Sequence, residues 1–379
     1  MKYYLIAGEA SGDLHGANLM RALLEKDPQA EFRFWGGDDM SSVGGTPVRH
    51  IRDLAIMGFV EVLVHLRTVL GNIAFCKRDI AQWKPDVVVG IDYPGFNLKI
   101  EAWAHKQGFK TVHYISPNLW AWKKGRIKGM RQSLDRLCYI LPFEEQFFAE
   151  NDMPQAVYVG HPLLDAVKNT QLHTSQFTHH ADKPIIALLP GSRRMELKNS
   201  LPEMVRLAQK HPEYHFIVAG MSLMGESQYR KYIPADSNVE IVYDQTYGLL
   251  SQAHAAIVCS GTATLEAALF NVPQVVCYSG NQISYLIARA VVSSRIKYIS
   301  LVNLIADSPI VTELIQDGFN AEHLEKEFNL IAGDEVNRER MLSEYADMRT
   351  LLGNGGASKR AADIIYEESI HETSLPNNQ

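Results

Sequence analysis

Short β-branched and aromatic runs alternate with helical stretches along almost the whole chain. They are YYLIA, EFRFW, VVVGI, TVHYI and RLCYI in the first part, then IIALL, HFIVAG, VEIVY, AAIVC and QVVCY. Strands separated by helices pair in parallel, and helices then cover both faces of the sheet. The fold class is therefore α/β. The polar segment KNTQLHTSQFTHHAD has no apolar periodicity and reads as a linker near residues 168–183. Beyond it the pattern restarts, with strand IIALL, loop PGSRRMELKNS and helix LPEMVRLAQ echoing strand YYLIA, loop GEASGDLHG and the helix that follows. Two Rossmann-like domains are expected, 1–170 and 183–355, facing each other across a cleft with ligands at the carboxyl ends of the strands. A C-terminal helix and tail, 356–379, completes the chain.

Composition narrows the function. At 379 residues with 46% apolar and 21% charged side chains, the chain can bury two sizeable cores. A net charge of −6 gives no reason to expect nucleic acid. Cys76, Cys138, Cys259 and Cys277 are widely spaced without a CxxC, so neither a zinc site nor a disulfide framework is indicated, and a reducing cytosol fits. The N-terminus enters a strand directly, with no signal-peptide pattern. No apolar run reaches the ~18 residues a membrane span needs.

Several loops carry chemistry. GEASGDLHG has the glycines of a phosphate loop, yet Glu9 and Asp13 would repel a diphosphate. LPGSRRMEL sets Gly191, Ser192, Arg193 and Arg194 where a strand gives way to a helix, and both the helix N-terminus and the arginine fork suit a diphosphate. The plain alternative is a strand-to-helix turn with solvated arginines. CSGTATLEAAL places Ser260, Gly261 and Thr262 at another strand end, with Glu266 expected on the first helical turn to accept ribose hydroxyls; it could equally be a helix cap. VVVGIDYPGFN delivers Asp92 from an apolar strand into a turn, as a general base or as an Asx-type turn residue. MGFVEVLVHLRTVLGNI has too wide an apolar arc for one core stripe, and NLWAWKKGRIKGMR joins tryptophans to cations. Together they read as a docking surface for an anionic bilayer, or as core and a solvated helix face. No HExxH, GxSxG or DxD pattern occurs.

With GEASGDLHG, MGFVEVL, GIDYPGFN, YISPNLWAW, LPFEE, GHPLLD, LPGSR, SGTATLE and ISLVNLIAD in order from residue 8 to about 307, the chain resembles the lipid-A-disaccharide synthase family. The resemblance implies an inverting glycosyltransferase of GT-B type, with C-terminal helices crossing back to the first domain. The implied reaction joins UDP-2,3-diacylglucosamine to 2,3-diacylglucosamine 1-phosphate, giving a β(1→6) disaccharide 1-phosphate and UDP without a metal or cofactor. It implies Asp92 as general base, and Arg193 and Asn303 at the donor site with Gly191, Ser192, Ser260, Gly261, Thr262 and Glu266. Val60, Val62, Leu63, Leu66, Val69 and Leu70 match the family's membrane-facing segment. Gly95 stands where many relatives carry an acidic residue, so a second carboxylate beside Asp92 is absent. The expected setting is the cytoplasmic face of the inner membrane, as a peripheral protein, with a homodimer possible.

Once the donor loops are assigned, Glu9, Ser11 and Asp13 are left for sugar hydroxyls or the acceptor. Three rival readings remain. One is another UDP-sugar enzyme of the same architecture, including a UDP-GlcNAc epimerase, for which an apolar helix has no use. A second is a dinucleotide oxidoreductase, disfavoured because GEASGDLHG lacks the GxGxxG spacing. The third is a carrier that binds the sugar nucleotide without releasing UDP.

Overall fold

The computed structural model describes residues 1–54, 66–120, 125–171, 183–280 and 297–370. The chain divides into two compact units, Met1–Asp165 with Gly355–Gln379, and Ala166–Asn354.

The first unit holds β1 (Lys2–Ala7), β2 (Glu31–Gly36), β3 (Thr46–His50), β4 (Val87–Ile91), β5 (Lys110–Tyr114), β6 (Arg136–Tyr139) and β7 (Ala156–Tyr158), ordered β3-β2-β1-β4-β5-β6-β7. Its helices are α1 (Ala10–Lys26), α2 (Asp38–Val43), α3 (Leu66–Trp83), α4 (Pro94–Lys106), α5 (Arg126–Ser133) and α6 (Glu144–Ala149), with α7 (Pro162–Gln171) leading into the second unit.

The second unit holds β8 (Ile185–Leu189), β9 (His215–Gly220), β10 (Val239–Tyr243), β11 (Ala253–Cys259), β12 (Gln274–Tyr278) and β13 (Thr312–Ile315), ordered β10-β9-β8-β11-β12-β13. Among them run α8 (Arg194–Lys210), α9 (Glu226–Arg230), α10 (Thr246–Leu250), α11 (Thr262–Leu269), α12 (Leu301–Ala306), α13 (Ala321–Ala332) and α14 (Glu335–Leu352). The last helix, α15 (Ala357–Ile370), belongs to the first unit.

Every strand pair among the described residues is parallel. In each sheet the chain steps outward for three strands, then returns to the other side of the first. The order therefore reverses between β1 and β4, and again between β8 and β11. At such a reversal the loops on the two sides diverge and leave a crevice over the carboxyl ends.

β4 and β8 are buried along their whole length, which is why VVVGI and IIALL read as unbroken apolar runs. Three strands have no counterpart among the runs read from the sequence: β3, β7 and β13. All three lie at sheet edges, where only part of the strand is covered and polar residues and Pro47 are tolerated.

The C-terminal return is concrete. Asp165 accepts the backbone N–H groups of Gly356 and Ser358, capping the first turn of α15. Arg360 Nε donates to the Val159 carbonyl at 2.8 Å, and Lys26 on α1 pairs with Asp363 at 2.8 Å. α14 stays with the second unit, where buried Tyr345 accepts from Gln274 Nε2 at 3.2 Å.

α3 is anchored by Asp79, which takes both Arg33 nitrogens at 2.8 and 2.6 Å and the Tyr4 hydroxyl at 2.8 Å. Of the residues matched to a membrane-facing segment, Val60, Val62 and Leu63 lie outside the described residues, as does the side chain of Leu66. Val69 packs against the core of the first unit, whereas Leu70 is 54% exposed. No helix among the described residues is long and apolar enough to cross a membrane.

Candidate functional site

Each strand-order reversal carries a pair of the loops singled out in the sequence. In the first unit, β1 runs into Gly8 and Glu9 while its neighbour β4 runs into Asp92. Asp92 and Tyr93 both adopt left-handed backbone, with φ of 46° and 49°. Two successive non-glycine residues there store strain, which persists only when surrounding contacts over-determine it. Those contacts are present. The Asp92 N–H donates to the Tyr114 carbonyl at 2.9 Å. Asn97, wholly buried on α4, donates from Nδ2 to the carbonyls of Asp92 (2.7 Å) and Ile6 (3.0 Å). Pro94 opens α4, where a missing N–H is harmless. The result is a half-buried carboxylate held at the mouth of the sheet, and burial raises its pKa above the usual carboxylate value while the His113 imidazole opposes that rise.

The opening glycine turns out to serve packing. A Cβ on Gly8 would sit 2.3 Å from Cγ of Tyr93, so only glycine lets that ring lie against the β1 loop. Glu9 is half-buried and its charge reaches the Tyr93 hydroxyl, whose pKa rises mainly through burial and secondly through Glu9. Ser11 is exposed. Asp13 is not available to a sugar: it is buried, Oδ1 accepts from Gly37 N (2.6 Å) and Met40 N (3.1 Å), and Oδ2 accepts from Asp39 N (3.0 Å). Its work is to hold the N-terminus of α2, where a carboxylate meets unpaired N–H groups. Gly95 is exposed, and a Cβ there would meet nothing within 4 Å. Farther along the same sheet edge, buried Glu144 accepts from Leu141 N at 3.2 Å, and burial pushes its carboxyl up to about 8.

In the second unit, Gly191 (φ 102°) turns the chain from β8 into α8. The Ser192 and Arg193 amides, expected to be phosphate donors, are engaged by the unit's own Glu196, whose Oε2 lies 2.9 and 3.2 Å from them. The Arg193 side chain is 60% exposed and only 3.8 Å from Glu196 Oε1. A carboxylate thus occupies the anion position at this helix N-terminus, and the arginine fork remains open to solvent.

Gly261 and Thr262 are exposed at the end of β11, and Ser260 Oγ donates to the Ile299 carbonyl at 3.1 Å. Glu266 sits one turn deeper in α11 than expected, because the helix begins at Thr262. It accepts from the Tyr247 hydroxyl at 2.9 Å, and burial raises its pKa.

Asn303 is also placed differently from a ligand-facing residue. It is 1% exposed, its Oδ1 accepts from Val311 N (3.0 Å), and its Nδ2 donates to Val311 O (2.9 Å) and Glu313 Oε1 (3.0 Å). Glu313 also accepts from the Ser300 hydroxyl and backbone. Asn303 therefore braces the ISLVN segment against β13.

Sequence reading missed Glu313, Glu196 as a cap, and a groove of about 450 Å³ beside α8 that includes Arg194, Lys198, Asn199 and Tyr232. Glu313 meets partners 10 to 14 positions away and the groove draws on separate elements, whereas the i,i+3 spacing of Arg193 and Glu196 gave a local signal. No group of three or more metal-ligating side chains occurs among the described residues.

A family model described as lipid-A-disaccharide synthetase matches residues 3–364. The lipid-A-disaccharide synthase of Syntrophus aciditrophicus is 37% identical over 94% of this chain and 95% of its own. That of Chromohalobacter salexigens is 36% identical over 98% of both. Among solved structures, UDP-GlcNAc 2-epimerase from Neisseria meningitidis bound to UDP-GlcNAc superposes with a TM-score of 0.69 at 14% identity, covering 97% of this chain and 100% of that one. The glycotransferase of kitacinnamycin superposes with a TM-score of 0.64 at 16% identity, covering 97% and 98%. At such low identity these two likenesses establish the fold alone.

Proposed function

Because this chain belongs to the lipid-A-disaccharide synthase family and is a glycosyltransferase of the two-domain GT-B type, we propose that its first unit supplies the base and its second unit holds the nucleotide. The substrates are a UDP-sugar and a sugar phosphate. The epimerase alternative is not favoured, since its likeness is one of fold while the family match spans nearly the full chain.

In the reading we favour, the donor is UDP-2,3-diacylglucosamine and the acceptor 2,3-diacylglucosamine 1-phosphate. The acceptor's 6-hydroxyl attacks the anomeric carbon from the face opposite UDP. The new C–O bond forms as the bond to the diphosphate oxygen breaks, the hydroxyl proton passes to the Asp92 carboxylate, and the negative charge leaves on UDP. The observation that supports this assignment is the strained, over-determined backbone of Asp92 at the β1/β4 reversal, which holds a half-buried carboxylate at the carboxyl ends of the strands. Burial keeps that carboxyl basic enough to take a proton in the transition state.

UDP is a good leaving group, so the second unit has mainly to bind and neutralise it. Arg193, with its exposed fork at the start of α8, is proposed for the diphosphate, and Ser260, Gly261, Thr262 and Glu266 for the nucleoside end. Asn303 supports that region from within. Glu9 and Ser11 are proposed for acceptor hydroxyls.

Because both substrates carry acyl chains, we place the protein peripherally on the cytoplasmic face of the inner membrane. Exposed Leu70 beside the apolar 59–66 segment supports that placement. Mixing both acylated substrates with the protein should release UDP and the disaccharide phosphate in equal amounts. UDP-sugar binding without UDP release would make the chain a carrier.

A further inference from the structure

Beneath Asp92 lies a buried histidine–carboxyl pair that the mechanism above does not use. His113, in the middle of β5, and Glu101, on α4, are both fully buried, with His113 Nδ1 2.7 Å from Glu101 Oε1. His113 Nε2 and Glu101 Oε2 have no hydrogen-bond partner among the described residues. Taking two charges out of water is costly, and a buried pair adds little net stability compared with apolar side chains of similar size. Yet the surrounding strands are built to admit it. Gly90 pairs with His113 in the β4/β5 register, and a Cβ on Gly90 would lie 2.0 Å from Glu101 Oε1. The missing side chain in VVVGI is therefore the space that the Glu101 carboxylate fills.

The same arrangement reaches Asp92. Asp92 follows Gly90 by two residues at the end of β4, and its carboxyl interacts electrostatically with the His113 ring. On α4, Asn97 and Glu101 are one turn apart on the same face. The first holds the Asp92 backbone carbonyl, and the second holds His113.

Resting on the assignment of Asp92 as the base, we propose that Glu101 and His113 are positioning residues for it: Glu101 keeps His113 as an imidazolium, and that buried cation keeps the Asp92 carboxylate ionised and ready to accept a proton. The charges around His113 are consistent with this. Burial alone would neutralise the ring, but Glu101 from α4, Asp92 from the end of β4 and the Ile115 backbone oppose it, and its pKa is raised. Among the described residues, Lys110, Asp135 and His105 interact at the other end of β5, where Glu368 on α15 pairs with Lys110 and Arg136, while Asp165 and Arg360 act on Tyr114, next to His113. Neutral β6 side chains such as Leu137 adjoin the strand in register.

The test is the pH dependence of kcat/KM for UDP release in the full chain with Glu101→Gln, His113→Gln and the double variant. Removing either partner removes the cation, so the acidic limb should move to higher pH by about one unit or more in each. The double variant should shift no further than His113→Gln alone. Acidic limbs that stay in place in folded variants, or shifts that add, overturn the proposal. Should the variants fold poorly, ¹⁵N spectra of the unaltered protein decide. Both His113 nitrogens protonated at the pH of full activity supports the pair's role, and a neutral ring overturns it. Asp92→Asn separates the two levels: if it retains turnover the base assignment fails, whereas its collapse with unmoved limbs in the Glu101 and His113 variants removes only the positioning role.

Discussion

The two units share a strand order and put their functional loops at equivalent reversals, but they equip those loops in opposite ways. At β1/β4 the key carboxylate is half-buried, its backbone strained and latched by Asn97, and the buried His113–Glu101 hydrogen-bonded pair lies beneath it. At β8/β11 the key arginine is largely exposed, and the helix N-terminus is satisfied by the unit's own Glu196. A base must be positioned and held at a perturbed pKa, which needs burial and rigid partners. A nucleotide must enter and leave, which favours an exposed cation and a replaceable anion. On the proposed assignment, the same scaffold would support chemistry on one unit and exchange on the other.

The largest effect should come from the rigid side. Asp92→Asn keeps the shape and removes the base, so turnover should fall by about 10²–10⁴ while UDP binding, measured by titration, stays near the unaltered value. Weakened UDP binding of comparable size would erase the division of labour.

Next in size is the acid response of the first unit. Burial holds His15 near 4 and His161 near 3, against an ordinary value of 6.5. The folded state therefore keeps both rings neutral while the unfolded chain takes up protons below pH 6.5. Their stabilising effect is complete above that pH and is lost as the pH falls from there through about 4 for His15 and about 3 for His161, by on the order of a few kcal/mol. All five tryptophans lie in the first unit, so urea unfolding followed by tryptophan fluorescence reads it directly. Replacing His161 with Gln should flatten the slope.

On the exchange side, Arg193→Ala should weaken UDP binding roughly 10- to 100-fold, the loss of charge-assisted hydrogen bonds to phosphate. Unchanged affinity would move the diphosphate elsewhere, to the Arg194 and Lys198 groove first. The smallest expected change has the opposite sign. Glu196→Gln removes the resident negative charge from the helix N-terminus, so UDP should bind about two- to fivefold more tightly. Weaker binding would show that Glu196 holds the loop in its binding conformation.

Much of this was legible in the chain. Alternating apolar runs fixed two parallel sheets, because a central strand buried on both faces must be apolar throughout, and the loops at the strand ends followed from connectivity. The edge strands β3, β7 and β13 gave no such signal, since half-covered strands need no continuous apolar run. Asp92 could be singled out because a carboxylate ending an apolar strand before Pro94 is locally anomalous.

Other assignments depended on contacts distant in sequence. The tertiary structure decided that Gly8 makes room for a ring 85 positions away, that Asp13 caps α2, that Asn303 braces β13, and that Gly90, Glu101 and His113 form one buried group. Periodicity reports which face of an element is covered, whereas the partner that covers it is set by how the elements pack.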